Sequence, residues 1–269
     1  MDGPTNHLNL QRSNGDLQVK LRDNTIERLF QSGCAKIILP KTYGAMREAV
    51  ILNTAGGITG GDELKIQLSA EACALVVTTQ AAERLYKSIS TPAKISIDLQ
   101  AKRGASLHWL PQETIVFNGT TVDRTIRLNM SADSQCLLAE TIILGREAMG
   151  EKITRCHFTD NWRLFKDGQL FHAESIRLTG EVDKILAATA CGNGAKMFTT
   201  ILYSGNDVEL RSSALNPIIE KCVSNCAASY WRNKLVFRLI SRHPLEGIAD
   251  VKLILASLRD QPLPRVWNS

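Results

Sequence analysis

The sequence predicts a mostly β protein whose sheets stack in a solenoid-like or sandwich manner, and three observations support this prediction. Apolar and polar residues alternate along several short segments, which is typical of strands with one face on a core. Turn-forming residues recur at a nearly regular spacing along the first half of the chain. Apolar residues with helical periodicity are scarce, so a doubly wound α/β fold is disfavoured.

The first strands are predicted from local patterns. Apolar and polar residues alternate in segments 64–68, 95–99 and 126–128, which predicts three half-buried strands. The continuous apolar runs 74–77 and 141–144 predict strands that are buried on both faces.

Two hairpins are predicted farther along the chain. Asp167-Gly168 lies between apolar flanks, and this dipeptide is a strong signal for a tight turn between antiparallel strands. Segment 232–234 separates Tyr230-Trp231 from the apolar run 235–237, which indicates a second hairpin.

A faint internal repeat suggests how the strands stack. Cys73, Gly104 and Ser134 each precede a predicted strand, and the intervals between them are 31 and 30 residues. Stacked units of this size can share one continuous core. Turn signals at semi-regular spacing also occur in any all-β protein, so both interpretations stay open. Thirteen residues after these three anchors lie Tyr86, Phe117 and Glu147.

Two helices are expected. Residues 245–259 carry a broad apolar face and are followed by Pro262 and Pro264, which end any helix. Segment 213–222 predicts a second helix that begins near Pro217. No linker divides the chain, so a single domain over residues 1–269 is predicted, with residues 1–15 as a flexible start.

Composition excludes several classes of function. The chain is 44% hydrophobic with a net charge of +5, and its basic residues are dispersed, so no nucleic-acid-binding arm is expected. The polar start has no signal-peptide core, and no apolar stretch approaches the length of a membrane span. Seven cysteines without disulfide-framework spacing then predict reduced thiols in a cytoplasmic protein.

The glycine-rich segment 53–62 is the most distinctive feature of the sequence. A phosphate-binding loop would need Gly-Lys-Ser/Thr at the start of a helix, whereas Asp62 and a strand pattern follow Gly61 here. A tight turn between two strands is therefore the favoured interpretation.

Possible metal ligands are sparse. Cys222 and Cys226 form a Cys-x3-Cys pair with His243 farther on, and Cys156 and His157 are adjacent. Thiolate and imidazole suit nickel or zinc, so a stand-alone metallochaperone is one hypothesis. A structural zinc site normally has four ligands in two recognisable pairs, and buried cysteine is common as a small apolar residue.

Two acids lie within strand-like segments and could serve chemistry. Glu140 and Glu174 are both flanked by apolar residues, and inward-facing acids would need water, a partner or an ion. Paired carboxylates suit glycoside hydrolysis, so a cytosolic β-solenoid carbohydrate-active enzyme is the alternative function. The low aromatic content of 6% weakens that alternative, because sugar sites favour aromatic stacking platforms.

Four segments in order resemble the UreD (UreH) family of urease accessory proteins. The loop 53–62 resembles its Gly-Gly-x-x-Gly-Gly-Asp signature, and segments 78–88, 110–117 and 144–151 are similar to its later blocks. Segments 29–33 and 263–267 also fit the family, so the similarity extends over nearly the whole chain.

The resemblance implies an irregular β-helix-like stack of strands with two helices, and a non-catalytic role. UreD proteins bind urease apoprotein and UreF, which recruits the nickel-carrying GTPase UreG, and they are thought to offer nickel a water-filled tunnel. No tightly bound cofactor is implied, only nickel in transit.

Carried over to this chain, Asp62, Glu140 and Glu174 would lie beside the nickel path. Tyr86 and Arg84 are expected to contact a partner, because aromatic and arginine residues are enriched at interfaces; the alternative is that Tyr86 belongs to the core. Oxygen ligands hold nickel more weakly than thiolate or imidazole, and a conduit must release its ion.

Overall fold

The computed structural model describes residues 11–41, 44–89, 91–146 and 150–268. Strands dominate this part of the chain, so the predicted mostly β class is confirmed. Residues 1–10, most of the predicted flexible start, lie outside the described residues, as does Glu147. Asn14 and Gly15, at the end of that start, already belong to the first strand.

The strands form two large sheets. The first sheet contains, in spatial order, β14 (Gln169–Gly180), β13 (Cys156–Lys166), β11 (Thr121–Met130), β8 (Ala93–Lys102), β5 (Glu63–Glu71), β1 (Asn14–Arg22) and β2 (Thr25–Gly33). The second sheet contains, in spatial order, β16 (Asn225–Trp231), β17 (Lys234–Ser241), β15 (Met197–Ser204), β12 (Gln135–Leu144), β9 (Ser106–Trp109), β6 (Ala74–Thr79), β4 (Arg47–Asn53) and β3 (Ala35–Ile38). Two short strands, β7 (Glu83–Leu85) and β10 (Thr114–Val116), pair with each other, and β10 joins them to β12.

In the middle of the chain, consecutive long strands alternate between the two sheets. β5, β8 and β11 lie side by side and parallel in the first sheet, while β6, β9 and β12 do so in the second. Glu63 pairs with Lys94, which is 31 residues later, so neighbouring strands in a sheet come from neighbouring repeats. The spacing of the turn signals therefore reflects this winding of the chain.

The predicted hairpins are confirmed, and so is the C-terminal helix. β13 pairs with β14 around Asp167-Gly168, and β16 pairs with β17 around Arg232-Asn233. The predicted helix over 245–259 is found as α4 (Pro244–Ser257). Near Pro217 only a single turn forms, α3 (Asn216–Ile219).

Two further short helices, α1 (Val182–Ala187) and α2 (Val208–Ser213), were not predicted because six residues cannot establish helical periodicity. In the described ranges, none of the helices has the length and apolar character that a membrane crossing requires.

The alternating segments place their apolar residues between the two sheets. Leu64, Ile66 and Leu68 of β5 face inward, and Ile95, Ile97 and Leu99 of β8 continue the same layer. A second apolar cluster lies on the other side of the second sheet, where α4 packs with Val251, Ile254 and Leu255. The second sheet is therefore covered on both faces, which explains why β12 is buried along almost its whole length.

The C-terminal segment is anchored to the second sheet by Trp267. Its ring is buried, and its Nε1 donates to the carbonyl oxygen of Leu110 and to Thr78 Oγ1, both at 3.2 Å. Gln112 Nε2 donates in turn to the carbonyl oxygen of Val266. The final segment thus contacts the ends of β6 and β9 and the loop that follows β9.

Candidate functional site

Three charged side chains meet between the two sheets. Arg124 of β11 contacts Glu140 of β12 through Nη1 and Oε2 at 2.7 Å, and Asp160 of β13 through Nη2 and Oδ2 at 2.7 Å. All three are nearly inaccessible to solvent. One cation thus shares two carboxylates, so the buried cluster carries a net negative charge when both acids are ionised.

Uncharged donors complete this cluster. Trp109 Nε1 donates to Glu140 Oε1 at 2.7 Å, and Trp162 Nε1 donates to Asp160 Oδ2 at 3.2 Å. Arg124 Nη1 also donates to Thr114 Oγ1 at 2.9 Å. Arg124 Nε and Asp160 Oδ1 have no hydrogen-bond partner among the described residues. The cluster therefore contains one buried donor and one buried acceptor that lack hydrogen-bond partners within the described residues.

The position of Arg124 and Asp160 follows from the strand period. Arg124 occupies the inward phase of β11, between Val122 and Ile126, and Asp160 occupies the inward phase of β13. Sequence reasoning missed both residues, although a charged residue in the apolar phase of an alternating strand was a visible signal.

Burial controls the ionisation of the cluster. Loss of solvent raises the pKa of Glu140 to about 7, and the charge of Asp160 adds to this, while Arg124 and Trp109 act to lower it. Burial acts to lower the pKa of Arg124, but the two carboxylates outweigh it and raise that pKa, so the guanidinium stays charged. Burial thus favours the protonated form of Glu140 more than in a solvent-exposed glutamate.

A second acid, the partly buried Glu83, was also missed by sequence reasoning. Both of its carboxylate oxygens accept from Asn53 Nδ2, at 3.1 and 3.2 Å. Loss of solvent raises its pKa to about 7, while Asn53 and the charge of Arg124 act to lower it. Glu83 lines a cavity of about 150 Å³ beside Gly56 and Gly57 of the glycine-rich loop. Glu83 therefore connects the loop surface electrostatically with the buried cluster.

Glu174 lies at the other end of this polar row. It is directly opposite Trp162 in the β13–β14 ladder, so it faces the interior beside a residue of the cluster. Its Oε2 accepts from Arg238 Nη2 and lies 3.9 Å from His172 Nε2. Two of the three predicted acids, Glu140 and Glu174, are thus separated by the side chains of Trp162 and Asp160.

Asp62 has a different environment. Its Oδ1 accepts from the backbone N–H of Ser13 and its Oδ2 from that of Thr59, each at 2.8 Å. These bonds close the glycine-rich loop, which runs from β4 in the second sheet to β5 in the first. The predicted connection between two strands is confirmed, but it is a crossover between sheets and not a tight turn. No described hydrogen bond or ion pair joins Asp62 to Glu140 or Glu174.

Tyr86 and Arg84 lie at the surface beside the same loop. The Tyr86 ring meets Phe117 edge-on, with centroids 5.2 Å apart, and its hydroxyl donates to the carbonyl oxygen of Gly56 at 3.4 Å. A Cβ on Gly57 would lie 2.4 Å from the Tyr86 ring, which explains the glycine there. Arg146 stacks over Phe117 and extends this aromatic and cationic surface.

The cysteines do not assemble with histidine. All seven are free thiols. Cys156 donates to the carbonyl oxygen of Leu178, whereas the neighbouring His157 lies 3.6 Å from Asp123. Burial raises the pKa of Cys222 to about 12, and the adjacent Cys226 adds to this. Burial also raises the pKa of Cys226 and of Cys156, so these thiols are protonated in the metal-free protein.

Within the described ranges, no group of three or more His, Cys, Asp or Glu side chains has a geometry that could hold a metal ion. The two carboxylates of the carbohydrate-enzyme alternative form separate ion pairs, Glu140 with Arg124 and Glu174 with Arg238.

Comparison with known proteins gives one consistent result. The family model described as UreD urease accessory protein matches residues 11–268. A protein of Chelativorans named urease accessory protein UreD is 41% identical over 268 residues, which cover 96% of this chain and 95% of the relative. Relatives with the same name from Rhizobium rhizogenes and Agrobacterium fabrum are 39% and 41% identical, over 96% and 90% of this chain and 95% and 85% of theirs.

The match extends over nearly the whole chain, and each of these relatives is named as an accessory protein rather than an enzyme. The carbohydrate-active enzyme alternative is therefore wrong. Its error lay in treating two strand acids as a catalytic pair, whereas each has its own arginine partner. The chain belongs to the UreD family of urease accessory proteins.

Proposed function

We propose that this protein is a cytoplasmic, non-catalytic scaffold for urease maturation that also conducts nickel. In this proposal it binds urease apoprotein and UreF, and UreF brings the GTPase UreG. Nickel then passes between the two sheets toward the urease active site. The ion is cargo, and no resident metal is needed.

The observation that carries the proposal is the polar row between the sheets. It runs from Glu83, beside the glycine-rich loop, through Arg124, Glu140 and Asp160 to Glu174 at the edge strand. Such a row is costly in an apolar core, because each buried charge must be compensated. A need for polar groups along the interior explains why the fold retains it.

The chemistry of the row suits transit rather than storage. Carboxylate oxygens bind divalent nickel more weakly than thiolate or imidazole in a favourable geometry. Arg124 occupies the position that a cation would take between Glu140 and Asp160. A passing nickel ion would exchange with the guanidinium, and the return of Arg124 would then favour release. Asp62 remains a candidate at the loop end, although both of its oxygens already accept backbone N–H groups.

The surface beside the glycine-rich loop is the proposed partner contact. Tyr86, Arg84 and Arg146 are exposed there, next to the half-enclosed cavity that Glu83 lines. Aromatic and arginine side chains are enriched among residues that contribute most to protein interfaces. A partner docked at this surface would deliver its cargo directly to the start of the polar row.

Reconstitution tests the scaffold. The full-length chain should co-purify with UreF and with urease apoprotein, and the complex should activate urease when UreG, GTP and nickel are added. Tyr86→Ala with Arg84→Ala should weaken capture of one partner, whereas Ile26→Ala with Arg28→Ala, an exposed apolar and basic pair on β2, should leave that capture unchanged. Failure of the wild-type chain to capture either partner would contradict the scaffold.

A further inference from the structure

A groove lies between the edge strands of the two sheets, away from the glycine-rich loop. It is formed by residues 170–173 of β14 and by β16 and β17, and its volume is about 410 Å³. β14 is the last strand of the first sheet and β16 the last strand of the second, so each presents an unpaired edge here. Leu170 and Trp231 are exposed at its sides, and 57% of Trp231 is accessible.

Lys234 is the unusual residue of this groove, because only 2% of it is accessible. Its Nζ donates to the carbonyl oxygen of Phe171 at 2.6 Å and lies over the rings of Trp231, at 4.2 Å, and Phe171. No carboxylate among the described residues pairs with it. A buried ammonium without a counter-ion is unfavourable, so the groove is electrostatically incomplete.

Arg232 adds to the positive potential of the groove, whereas the charge of Arg238 is balanced by Glu174. Arg232 and Arg238 line it together with His172, and none of its lining residues is acidic. Glu174, the nearest acid, is already neutralised by Arg238. Burial lowers the pKa of His172 to about 4, and the charges of Lys234 and Arg238 contribute. His172 Nε2 is buried and has no hydrogen-bond partner within the described part of the chain.

We propose that this groove binds an extended acidic segment of a protein partner, whose carboxylates pair with the exposed Arg232 above the buried charge of Lys234 and whose apolar side chains pack on Leu170 and Trp231. The free edges of β14 and β16 supply main-chain hydrogen-bonding groups for such a strand. The unmatched positive charge selects the acidic side chains, and the apolar walls select the residues between them. This inference does not depend on the nickel path.

The test uses the full-length chain and a capped hexapeptide that alternates glutamate and leucine, with a glutamine–leucine peptide as its neutral match. Trp231 reports on the groove, because the other three tryptophans, Trp109, Trp162 and Trp267, are buried. The acidic peptide should protect Trp231 from acrylamide quenching. Lys234→Met should weaken that binding about tenfold, since it removes the buried positive charge that lies beneath the bound carboxylates.

Arg177→Met is the matched control, because Arg177 is exposed on β14 outside the groove and the variant has the same net charge as Lys234→Met. Circular dichroism first establishes that each variant is folded, and Arg232→Gln replaces Lys234→Met if the latter does not fold. Equal protection by the glutamic and glutamine peptides, or equal weakening by Arg177→Met, would overturn the proposal. No protection of Trp231 by the acidic peptide would overturn it as well.

Discussion

Arg124 balances the charge of the two carboxylates buried between the sheets. Its guanidinium compensates two buried carboxylates, and Phe158 lies beneath it with the ring centroid 5.6 Å away. Its removal would leave Glu140 and Asp160 in an apolar core with only tryptophan donors. The unpaired buried charge would then destabilise the folded state relative to the unfolded chain.

Arg124→Met is therefore expected to lower the free energy of unfolding by about 3–5 kcal/mol, as found when one partner of a buried ion pair is removed. Arg127→Met is the control, because Arg127 is exposed on the same strand and stacks on Phe165. Its cost should stay below about 1 kcal/mol. Urea unfolding at pH 7 measures both variants, and equal losses would contradict a special role for Arg124.

Glu83 should make stability depend on pH. Because burial raises its pKa to about 7 in the folded state, the proton is held more tightly there than in the unfolded chain. The resulting stability is present below pH 4.5, the ordinary value, and is lost as pH rises through about 7. The loss amounts to at most about 3 kcal/mol.

Glu83→Gln should remove this pH-dependent loss of stability, because glutamine does not ionise. The free energy of unfolding of the variant should therefore rise relative to that of the wild-type chain between pH 5 and pH 8. Denaturant unfolding of both proteins across that range checks the prediction. Parallel pH profiles for the two chains would show that Glu83 is not held in the protonated form.

At the scale of elements, the C-terminal segment stabilises the second sheet. Trp267 is buried against the strand ends, and both acceptors of its Nε1 belong to that sheet or its following loop. The short helical turn at Arg265–Asn268 places the ring there. A tail of a few residues thus acts as a packing element of the core.

Trp267→Ala should cost about 3–5 kcal/mol, because it removes a buried aromatic ring and two hydrogen bonds. Trp231→Ala offers a control with the same chemical change at an exposed site, and its cost should be below about 1 kcal/mol. Thermal unfolding compares the two variants. A similar shift in Tm for both would mean that the C-terminal segment contributes no packing.

Elements whose signals are local could be predicted, and those that depend on tertiary position could not. Asp167-Gly168 defines its own turn, and the alternation at 64–68 defines the inward face of β5. The meeting of Arg124 with Glu140 depends on which strands of the two sheets face each other, and local pattern does not contain that information. Glu83 was missed because its burial comes from the neighbouring loop and from Asn53.

At the scale of the whole molecule, the two sheets enclose a polar row with one end near the glycine-rich loop and the other at β14. The predicted acids Glu140 and Glu174 belong to this row, whereas Asp62 closes the loop at its entrance side. The prediction that these acids lie on a nickel path remains a prediction.

The most direct test is nickel activation of urease apoprotein in the assembled complex with UreF, UreG and GTP, comparing the wild-type chain with Glu140→Gln/Glu174→Gln. Glu220→Gln is the control, because Glu220 is exposed and outside the row. The double variant should assemble normally, as judged by co-purification, and activate urease at least about tenfold more slowly. If the assembled double variant activates urease as fast as wild type, the buried carboxylates do not carry the ion.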